Sequence, residues 1–217
     1  MLGWKWYTGD MKKVIIFDFD GVIIDSSKEA YKLLKKAYPD LNQIQFESLF
    51  SGNIFSELQK FGNPKMSIDD LQKEWKNIIS LQNARPQLVE GIKEIIEKVS
   101  KDFLLVINTA SEKEVTTNFL LENNLDYFDG IYGSETSRSK VEKFKVIFNK
   151  HNCEAGDCIF ITDTIGDVIE SSQVGIATIL VSWGYQSIDL FNKVKPGVVG
   201  IANTPEELFT TLEDLAK

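Results

Sequence analysis

The stretch Val14–Ser27, "VIIFDFDGVIIDSS", decides how this chain folds. It begins with an apolar run, Val14–Phe17, of the kind that forms a buried strand, and two aspartates, Asp18 and Asp20, follow directly. Burying a carboxylate is costly unless something compensates its charge, and two carboxylates this close also repel each other. The arrangement therefore favours a site where a cation or a reaction uses both acids.

Further apolar runs repeat the strand pattern along the chain, and amphipathic helical patterns separate them. We predict buried strands at Val14–Phe19, Phe103–Asn108, Gly130–Tyr132, Ile159–Thr162, Thr178–Ser182 and Val198–Ile201. Strands that alternate with helices predict an α/β fold, a Rossmann-like doubly wound parallel sheet with helices on both faces.

One interval, residues 26–85, breaks this alternation because it contains helical patterns only. Its longest helical stretch is "SIDDLQKEWKNIISLQNA", Ser67–Ala84, which carries its own start signal. We therefore predict a small all-helical cap domain at residues 26–85, inserted after the first strand. The α/β core domain would comprise residues 11–25 and 86–217, and residues 1–10 would be an N-terminal extension.

The overall composition argues against several classes of function. The chain has 217 residues, a net charge of −8 and no cluster of Lys and Arg, so we expect no nucleic-acid partner. No apolar run approaches the roughly 18 residues of a membrane span, so we expect no membrane partner either. The single histidine, His151, disfavours mechanisms that need a catalytic His, and the two cysteines, Cys153 and Cys158, suggest reduced thiols in a cytoplasmic protein.

Several polar and aromatic residues are expected to be structural. Ser or Thr stands three positions before Glu, the spacing of a capping box, at Ser26, Ser111, Ser139 and Thr204. We interpret Ser111 in particular as a helix cap. We also expect structural roles for Phe50–Leu58, Arg85, Trp183 and Tyr185.

Chemically useful side chains follow several of the predicted strands. They are Asp18, Asp20, Thr109, Asp163 and Asp167, together with Lys140 at a helix start. Each alone would be an ordinary turn, cap or surface residue. Because reactive groups in an open parallel sheet gather at the carboxyl edge, their combination indicates a site there.

These residues resemble, in order, the four motifs of the haloacid dehalogenase-like superfamily. The first motif, D-x-D-G-V, is Asp18–Val22; Thr109 matches the second motif, Lys140 the third, and Asp163 with Asp167 the fourth. The resemblance spans about residues 11–216, and the helical insertion stands where this family places a C1-type cap. The first motif is highly specific, whereas the second and third are weak individually.

The resemblance implies a Mg²⁺-dependent phosphohydrolase that acts on a small phosphorylated metabolite. Asp18 would attack phosphorus to give an aspartyl-phosphate. Asp20 would protonate the leaving oxygen and then deprotonate the hydrolytic water. The presence of an acid at Asp20 favours phosphoryl transfer over dehalogenation, because a halide leaves without a proton.

The same resemblance implies the binding groups. Phosphate-binding groups would come from Thr109, Ala110, Lys140 and the backbone at Gly21. Mg²⁺ would be held by the Asp18 carboxylate, the Asp20 backbone carbonyl and Asp163, and Asp167 would be either a second ligand or a support for Lys140.

Two alternatives stay open at this point. One is a phosphomutase that resembles β-phosphoglucomutase; the other is a non-catalytic binding protein on the same fold. CheY-like receivers also phosphorylate an aspartate, but they have no helical insertion, and the D-x-D-G start does not fit them. The identity of the substrate is open, and the protein would be a monomer or a homodimer.

Overall fold

A computed structural model of the chain describes residues 13–62, 64–81, 85–191 and 197–216. Its strands are β1 Val14–Phe17, β2 Ile24–Asp25, β3 Gln87–Leu88, β4 Leu104–Asn108, β5 Gly130–Tyr132, β6 Cys158–Thr162, β7 Ala177–Val181 and β8 Val198–Ala202. The predicted extension at residues 1–10 lies outside this described part.

The main sheet has six strands within the described residues, in the order β5-β4-β1-β6-β7-β8, and every pairing in it is parallel. The predicted α/β fold is therefore confirmed, and the predicted strands are present with no end shifted by more than two residues. The two-residue strands β2 and β3, which the sequence did not indicate, pair antiparallel beside this sheet.

Register brings the candidate site residues to one edge. Phe17, the last residue of β1, lies opposite Ile107 of β4 and Ile161 of β6. The residues that follow these three strands therefore emerge together, and they include Asp18, Thr109 and Asp163. The carboxyl edge of the sheet is where parallel α/β folds place their sites.

The helices are α1 Ser27–Ala37, α2 Gln43–Ser48, α3 Ile54–Lys60, α4 Ile68–Ser80, α5 Ile92–Val99, α6 Lys113–Glu122, α7 Lys140–His151, α8 Ile165–Gln173, α9 Ile188–Phe191 and α10 Pro205–Ala216, with a short 3₁₀ turn at Ala155–Asp157. The predicted long helix begins as expected, since Ser67 accepts a hydrogen bond from the backbone N–H of Asp70. It ends at Ser80, and residues 82–84 of the predicted span lie outside the described part.

Both faces of the sheet are buried, which explains why its strands read as continuous apolar runs. Ile15 and Phe17 point to a core shared with α5, α6 and α10. Val14 and Ile16 point to the opposite face, where they pack against α7. The alternation is that of any strand, but here neither face meets water.

Helices α1 to α4 lie between β2 and β3 and pack around an apolar cluster of their own. Leu34, Phe46, Leu58 and Leu71 are buried in it, and Tyr185 from the sheet side joins it. How far residues 26–85 behave as a separate domain stays a prediction. Within the described residues, no helix combines the length and apolar character needed to cross a membrane.

Candidate active site

A cavity of about 170 Å³ lies between the carboxyl edge of the main sheet and helices α1, α3 and α4. Six of the predicted site residues line it. They are Asp18, Asp20, Ala110, Lys140, Asp163 and Asp167. The fold therefore gathers into one pocket residues from opposite ends of the sequence.

Asp18 follows β1 and is buried at the floor of the pocket. Its Oδ1 accepts the N–H of Phe19 at 2.7 Å, and its Oδ2 lies 2.7 Å from Nζ of Lys140. Burial raises the pKa of Asp18 well above its usual value; attraction to Lys140 opposes this rise, while Asp167 and Asp163 add to it. Asp18 therefore lies beside one ammonium and two further carboxylates at the pocket floor.

Lys140 is the first residue of α7, and its buried ammonium lies between two carboxylates. Its Nζ donates to Asp167 Oδ2 at 2.6 Å, as well as contacting Asp18. Burial alone lowers the pKa of Lys140, but attraction to Asp167 and Asp18 outweighs it, so the net pKa is raised and the side chain stays charged. Thr162 Oγ1 also donates to Asp167 Oδ2 at 2.6 Å, which holds that carboxylate in place.

The backbone around Lys140 is fixed by local capping. Ser139 accepts the N–H of Glu142, as the capping-box spacing predicted. Glu170 on α8 accepts the N–H of Lys140 at 2.9 Å, so a carboxylate lies at the positive end of α7. These bonds give the lysine a defined origin from which to reach Asp18.

Asp20 accepts hydrogen bonds from two serine hydroxyls. Ser111 Oγ donates to its Oδ2 at 2.6 Å, and Ser26 Oγ donates to its Oδ1 at 3.3 Å. Burial raises the pKa of Asp20 to about 6, and the two hydroxyl donors limit that rise because they stabilise the ionised form. Asp18 and Asp20 therefore differ in surroundings: an ammonium faces the first, and hydroxyls face the second.

The expectation that Ser111 caps a helix is wrong. Helix α6 has Glu112 at its N-cap, and the Ser111 hydroxyl is committed to Asp20 while it accepts Trp75 Nε1–H at 3.0 Å. Ser26 does stand at the N-cap of α1, but its side chain makes no capping bond and shares a 2.8 Å hydrogen bond with Tyr185 OH. The capping expectation is confirmed at Thr204, as at Ser139.

Asp163 follows β6 and is held from one side only. Its Oδ2 accepts the N–H of Tyr185 at 2.6 Å, whereas its buried Oδ1 has no partner among the described residues. Burial raises its pKa to about 7. A Cβ at Gly21, whose φ is +76°, or at Gly184 would collide with the Asp163 side chain, so the carboxylate is wedged between two glycines.

These residues fit a divalent cation. Asp163 Oδ1 is a buried oxygen without a partner among the described residues, and it lies in a pocket floor where Asp18, Asp163 and Asp167 face the single ammonium of Lys140. Across the described residues, no group of three or more His, Cys, Asp or Glu side chains could hold a metal by themselves. A set of two carboxylates and one backbone carbonyl, completed by water and substrate, does not need such a group.

Three of the predicted phosphate-binding residues differ in whether they line the pocket and in whether their polar groups already have partners. Ala110 lines the pocket, while Thr109 is fully buried and its Oγ1 accepts the N–H of Ser111 at 3.0 Å. The N–H of Gly21 donates to Ile24 O at 2.9 Å and is therefore already used. A glycine at position 21 leaves space for the Asp163 side chain, which explains this residue better than phosphate binding does. The phosphate-binding roles of Thr109, Ala110 and Gly21 stay predictions.

Sequence reasoning missed several residues at the site. Lys143, one turn after Lys140, is completely buried and donates from Nζ to the carbonyl of Thr109. Burial lowers its pKa to about 7, and the neighbouring Lys140 adds to the effect. The only signal in the sequence was the i, i+3 spacing, which placed both lysines on the inner side of α7.

The stretch Phe50–Leu58, expected to be structural, also lines the pocket through Phe50, Asn53 and Leu58. Its backbone docks on α8, where Gly166 N–H donates to Phe50 O at 2.8 Å. Arg85, by contrast, pairs with Glu122 and lies over the ring of Phe119, away from the pocket lining.

The chain is similar in sequence to known hydrolases. A family model described as haloacid dehalogenase-like hydrolase matches residues 15–181. A phosphoglycolate phosphatase from Aquifex aeolicus is 26% identical over 196 residues, which cover 82% of this chain and 88% of that protein.

Solved structures share the fold. A haloacid dehalogenase-like family protein from Streptococcus pneumoniae has a TM-score of 0.71 at 21% identity, covering 93% of this chain and 98% of its own. YfnB from Bacillus subtilis, described as bound to magnesium, has a TM-score of 0.61 at 18% identity, covering 94% of this chain and 100% of its own.

Proposed function

Because the chain belongs to the haloacid dehalogenase-like hydrolases, we propose that it is a Mg²⁺-dependent phosphatase that acts on a small phosphorylated metabolite through an aspartyl-phosphate. The observation that carries the proposal is the contrast between two acids on one turn. Asp18 lies against an ammonium at 2.7 Å, and Asp20 lies against hydroxyls at 2.6 and 3.3 Å. Two carboxyls in different surroundings can hold different protonation states, which an acid and a nucleophile require.

In the first step, a carboxylate oxygen of Asp18 attacks phosphorus, and the bond from phosphorus to the ester oxygen breaks. Protonated Asp20 gives its proton to that departing oxygen, which leaves as an alcohol. Lys140 supports this step because it contacts Asp18 and can neutralise charge on the phosphoryl oxygens.

In the second step, ionised Asp20 takes a proton from water as the water oxygen attacks phosphorus. The bond to Asp18 breaks, inorganic phosphate leaves, and Asp20 is protonated again. A pKa of about 6 suits a group that must give and take a proton in one cycle.

The Asp18 carboxylate, the Asp20 backbone carbonyl and Asp163 would hold Mg²⁺, which supplies positive charge beside the transferring phosphoryl group. The partnerless Oδ1 of Asp163 supports this assignment. We assign Asp167 as the support of Lys140 rather than as a ligand, because its Oδ2 already binds Lys140 and Thr162 at 2.6 Å.

We propose hydrolysis rather than phosphomutase activity. A mutase must hold a phosphosugar through its hydroxyls in two orientations, and the helical side of the pocket offers few polar groups for that task. Phosphoglycolate, named for the Aquifex relative, is one ester to assay among others.

The proposal is tested by release of inorganic phosphate from a panel of phosphomonoesters with and without Mg²⁺. We expect release that requires the metal and is lost in Asp18→Asn. Undiminished release by Asp18→Asn, or an isomerised phosphosugar without free phosphate, would overturn it.

A further inference from the structure

The wall of the pocket opposite the acids is apolar. It is built by helices α1, α3 and α4, and its main side chains are Leu33, Leu34, Phe55, Leu58, Leu71 and Trp75. Except for Trp75, which is partly buried, these side chains are buried. The part of a substrate that projects away from the phosphoryl group must therefore lie against hydrocarbon and aromatic surface.

Two further cations, Lys76 and Arg138, line the pocket near this wall, and both form ion pairs that are partly exposed to solvent. Lys76 on α4 lies 3.2 Å from Glu112 and 2.6 Å from Glu114. Arg138 lies 2.7 Å from Asp69. The two carboxylates around Lys76 leave that part of the mouth with net negative charge, which opposes an anionic leaving group.

Several polar side chains at the wall are also engaged within the protein, and one of them, Gln72, accepts through its Oε1 from Arg138 at 3.2 Å. Trp75 Nε1–H donates to Ser111, and Asn53 Nδ2 donates to the carbonyl of Arg138 at 2.9 Å and to Glu170 at 3.2 Å. A substrate carboxylate placed here would lose water without gaining an unpaired cation as a partner, which is unfavourable.

The size of the pocket sets a second limit. Its volume of about 170 Å³ is close to that of an apolar cavity of about 150 Å³ that accepts benzene in another protein. Because Asp18 and Lys140 line the same cavity, part of this volume must hold the phosphoryl group, which favours a small leaving group against the wall.

We propose that the substrate is a phosphomonoester whose leaving group is small, uncharged and mainly apolar, of the aryl or short alkyl alcohol class. This inference rests on the proposed function for the reaction itself. It concerns which ester is accepted, since the wall has no free cation among the described lining residues for a carboxylate.

The first experiment compares kcat/KM for benzyl phosphate and 2-phosphoglycolate at saturating Mg²⁺. Both are esters of primary alcohols, but benzyl phosphate carries a phenyl ring where 2-phosphoglycolate carries a carboxylate. We expect benzyl phosphate to be preferred by on the order of 100-fold, because the carboxylate would be desolvated without a partner. Equal values, or a preference for 2-phosphoglycolate, would overturn the inference while leaving the hydrolase intact.

The second experiment measures binding without turnover, so that it does not depend on catalysis. Benzylphosphonate and phosphonoacetate are titrated into the Mg²⁺-loaded protein by calorimetry, and benzylphosphonate should bind at least about tenfold more tightly. If no ester releases phosphate while this ranking holds, the proposed function falls and the pocket assignment stands. Tighter binding of phosphonoacetate would sink the pocket assignment directly.

Variants test the apolar wall and the paired cation Lys76 separately. Leu71→Asn places an amide in the apolar wall and should lower kcat/KM for benzyl phosphate by about tenfold. Because this buried change can reduce folding, a second variant, Glu112→Gln with Glu114→Gln, frees Lys76 at the mouth and should raise kcat/KM for 2-phosphoglycolate. Glu142→Gln, which removes the exposed carboxylate paired with Lys145, is the matched control and should change neither value. No gain with 2-phosphoglycolate in the double variant would contradict the role given to the paired cations.

Discussion

The two sides of the pocket differ in almost every property. The sheet edge carries charges in contact with one another, with Lys140 between Asp18 and Asp167 and with hydroxyls on Asp20. The helical wall carries Leu33, Phe55 and Leu71 and has its polar groups already paired. The chemistry proposed for the edge involves only the phosphoryl group, so under this proposal the choice of ester depends on the wall.

The largest expected effect comes from the edge. Asp18→Asn removes the proposed nucleophile and should reduce kcat by on the order of 10⁴-fold or more with every ester, whatever its leaving group. Steady-state phosphate release with several esters measures it. A loss confined to one class of ester would show that Asp18 selects the substrate rather than reacting with it, and it would contradict the division of roles between the edge and the wall.

The next effect should depend on the leaving group. Asp20→Asn removes the proposed proton donor and should slow transfer from an alkyl phosphate by about 10²- to 10⁴-fold. With p-nitrophenyl phosphate, whose leaving group needs no proton, the first step should survive and the phosphoenzyme should accumulate, because the base for the second step is also missing. Rapid-quench kinetics distinguish the two steps, and equal slowing of the first step with both esters would contradict the acid role.

Asp163→Asn should separate metal binding from folding. The usual pKa of 3.8 in the unfolded chain becomes about 7 in the folded one, so the folded carboxyl holds its proton more tightly. This contribution to stability is lost as pH rises through about 7, and the metal-free protein then contains a buried charge. At pH 8 without metal, Asp163→Asn should therefore melt a few degrees higher, at about 2–4 °C for each kcal/mol.

Added Mg²⁺ should raise the Tm of the unchanged protein but not that of Asp163→Asn. Differential scanning calorimetry with and without Mg²⁺ measures both quantities. An equal Mg²⁺-induced rise in the two proteins would remove Asp163 from the ligand set.

Proton competition should weaken Mg²⁺ binding in acid. Below about pH 7 the Asp163 carboxyl is protonated in the metal-free protein, and the metal must displace that proton. The apparent Kd should therefore rise by up to about tenfold for each pH unit below 7. Mg²⁺ titrations followed by calorimetry from pH 5.5 to 8 measure it, and an affinity independent of pH would contradict the assignment.

The smallest effect should come from Ser111→Ala. Its hydroxyl donates to ionised Asp20, so its removal should raise the pKa of Asp20 above about 6. The corresponding limb of the pH–rate profile should move to higher pH by less than about one unit. A shift to lower pH would show that the hydroxyl favours the protonated acid instead.

The same two regions differ in how well the sequence predicts them. The edge was predictable because strand ends are local features: an apolar run that stops at Asp18 or Asp163 places that residue at the carboxyl edge. The parallel register then brings together side chains that lie far apart in the sequence. The glycine after Asp20 was visible too, although its role in clearing space for Asp163 was not.

The wall was not predictable from local patterns. Trp75 reaches Ser111 only because α4 packs over α6, and helix packing in the insertion is set by the fit of many apolar side chains. Ser111 had capping spacing, and only the fold shows that Asp20 competes for its hydroxyl. The ion pairs of Lys76 and Arg138 were not predictable, because their carboxylate partners Glu112 and Asp69 are distant in sequence.

The central claim is that the carboxylate of Asp18 becomes phosphorylated during turnover. The most direct measurement is rapid acid quench of Asp20→Asn with ³²P-labelled p-nitrophenyl phosphate and Mg²⁺, followed by peptide mapping. We predict an acid-stable, hydroxylamine-sensitive label on the peptide containing Asp18, approaching one phosphate per chain. Label on any other residue, or continued phosphate release with no labelled protein, would contradict the account.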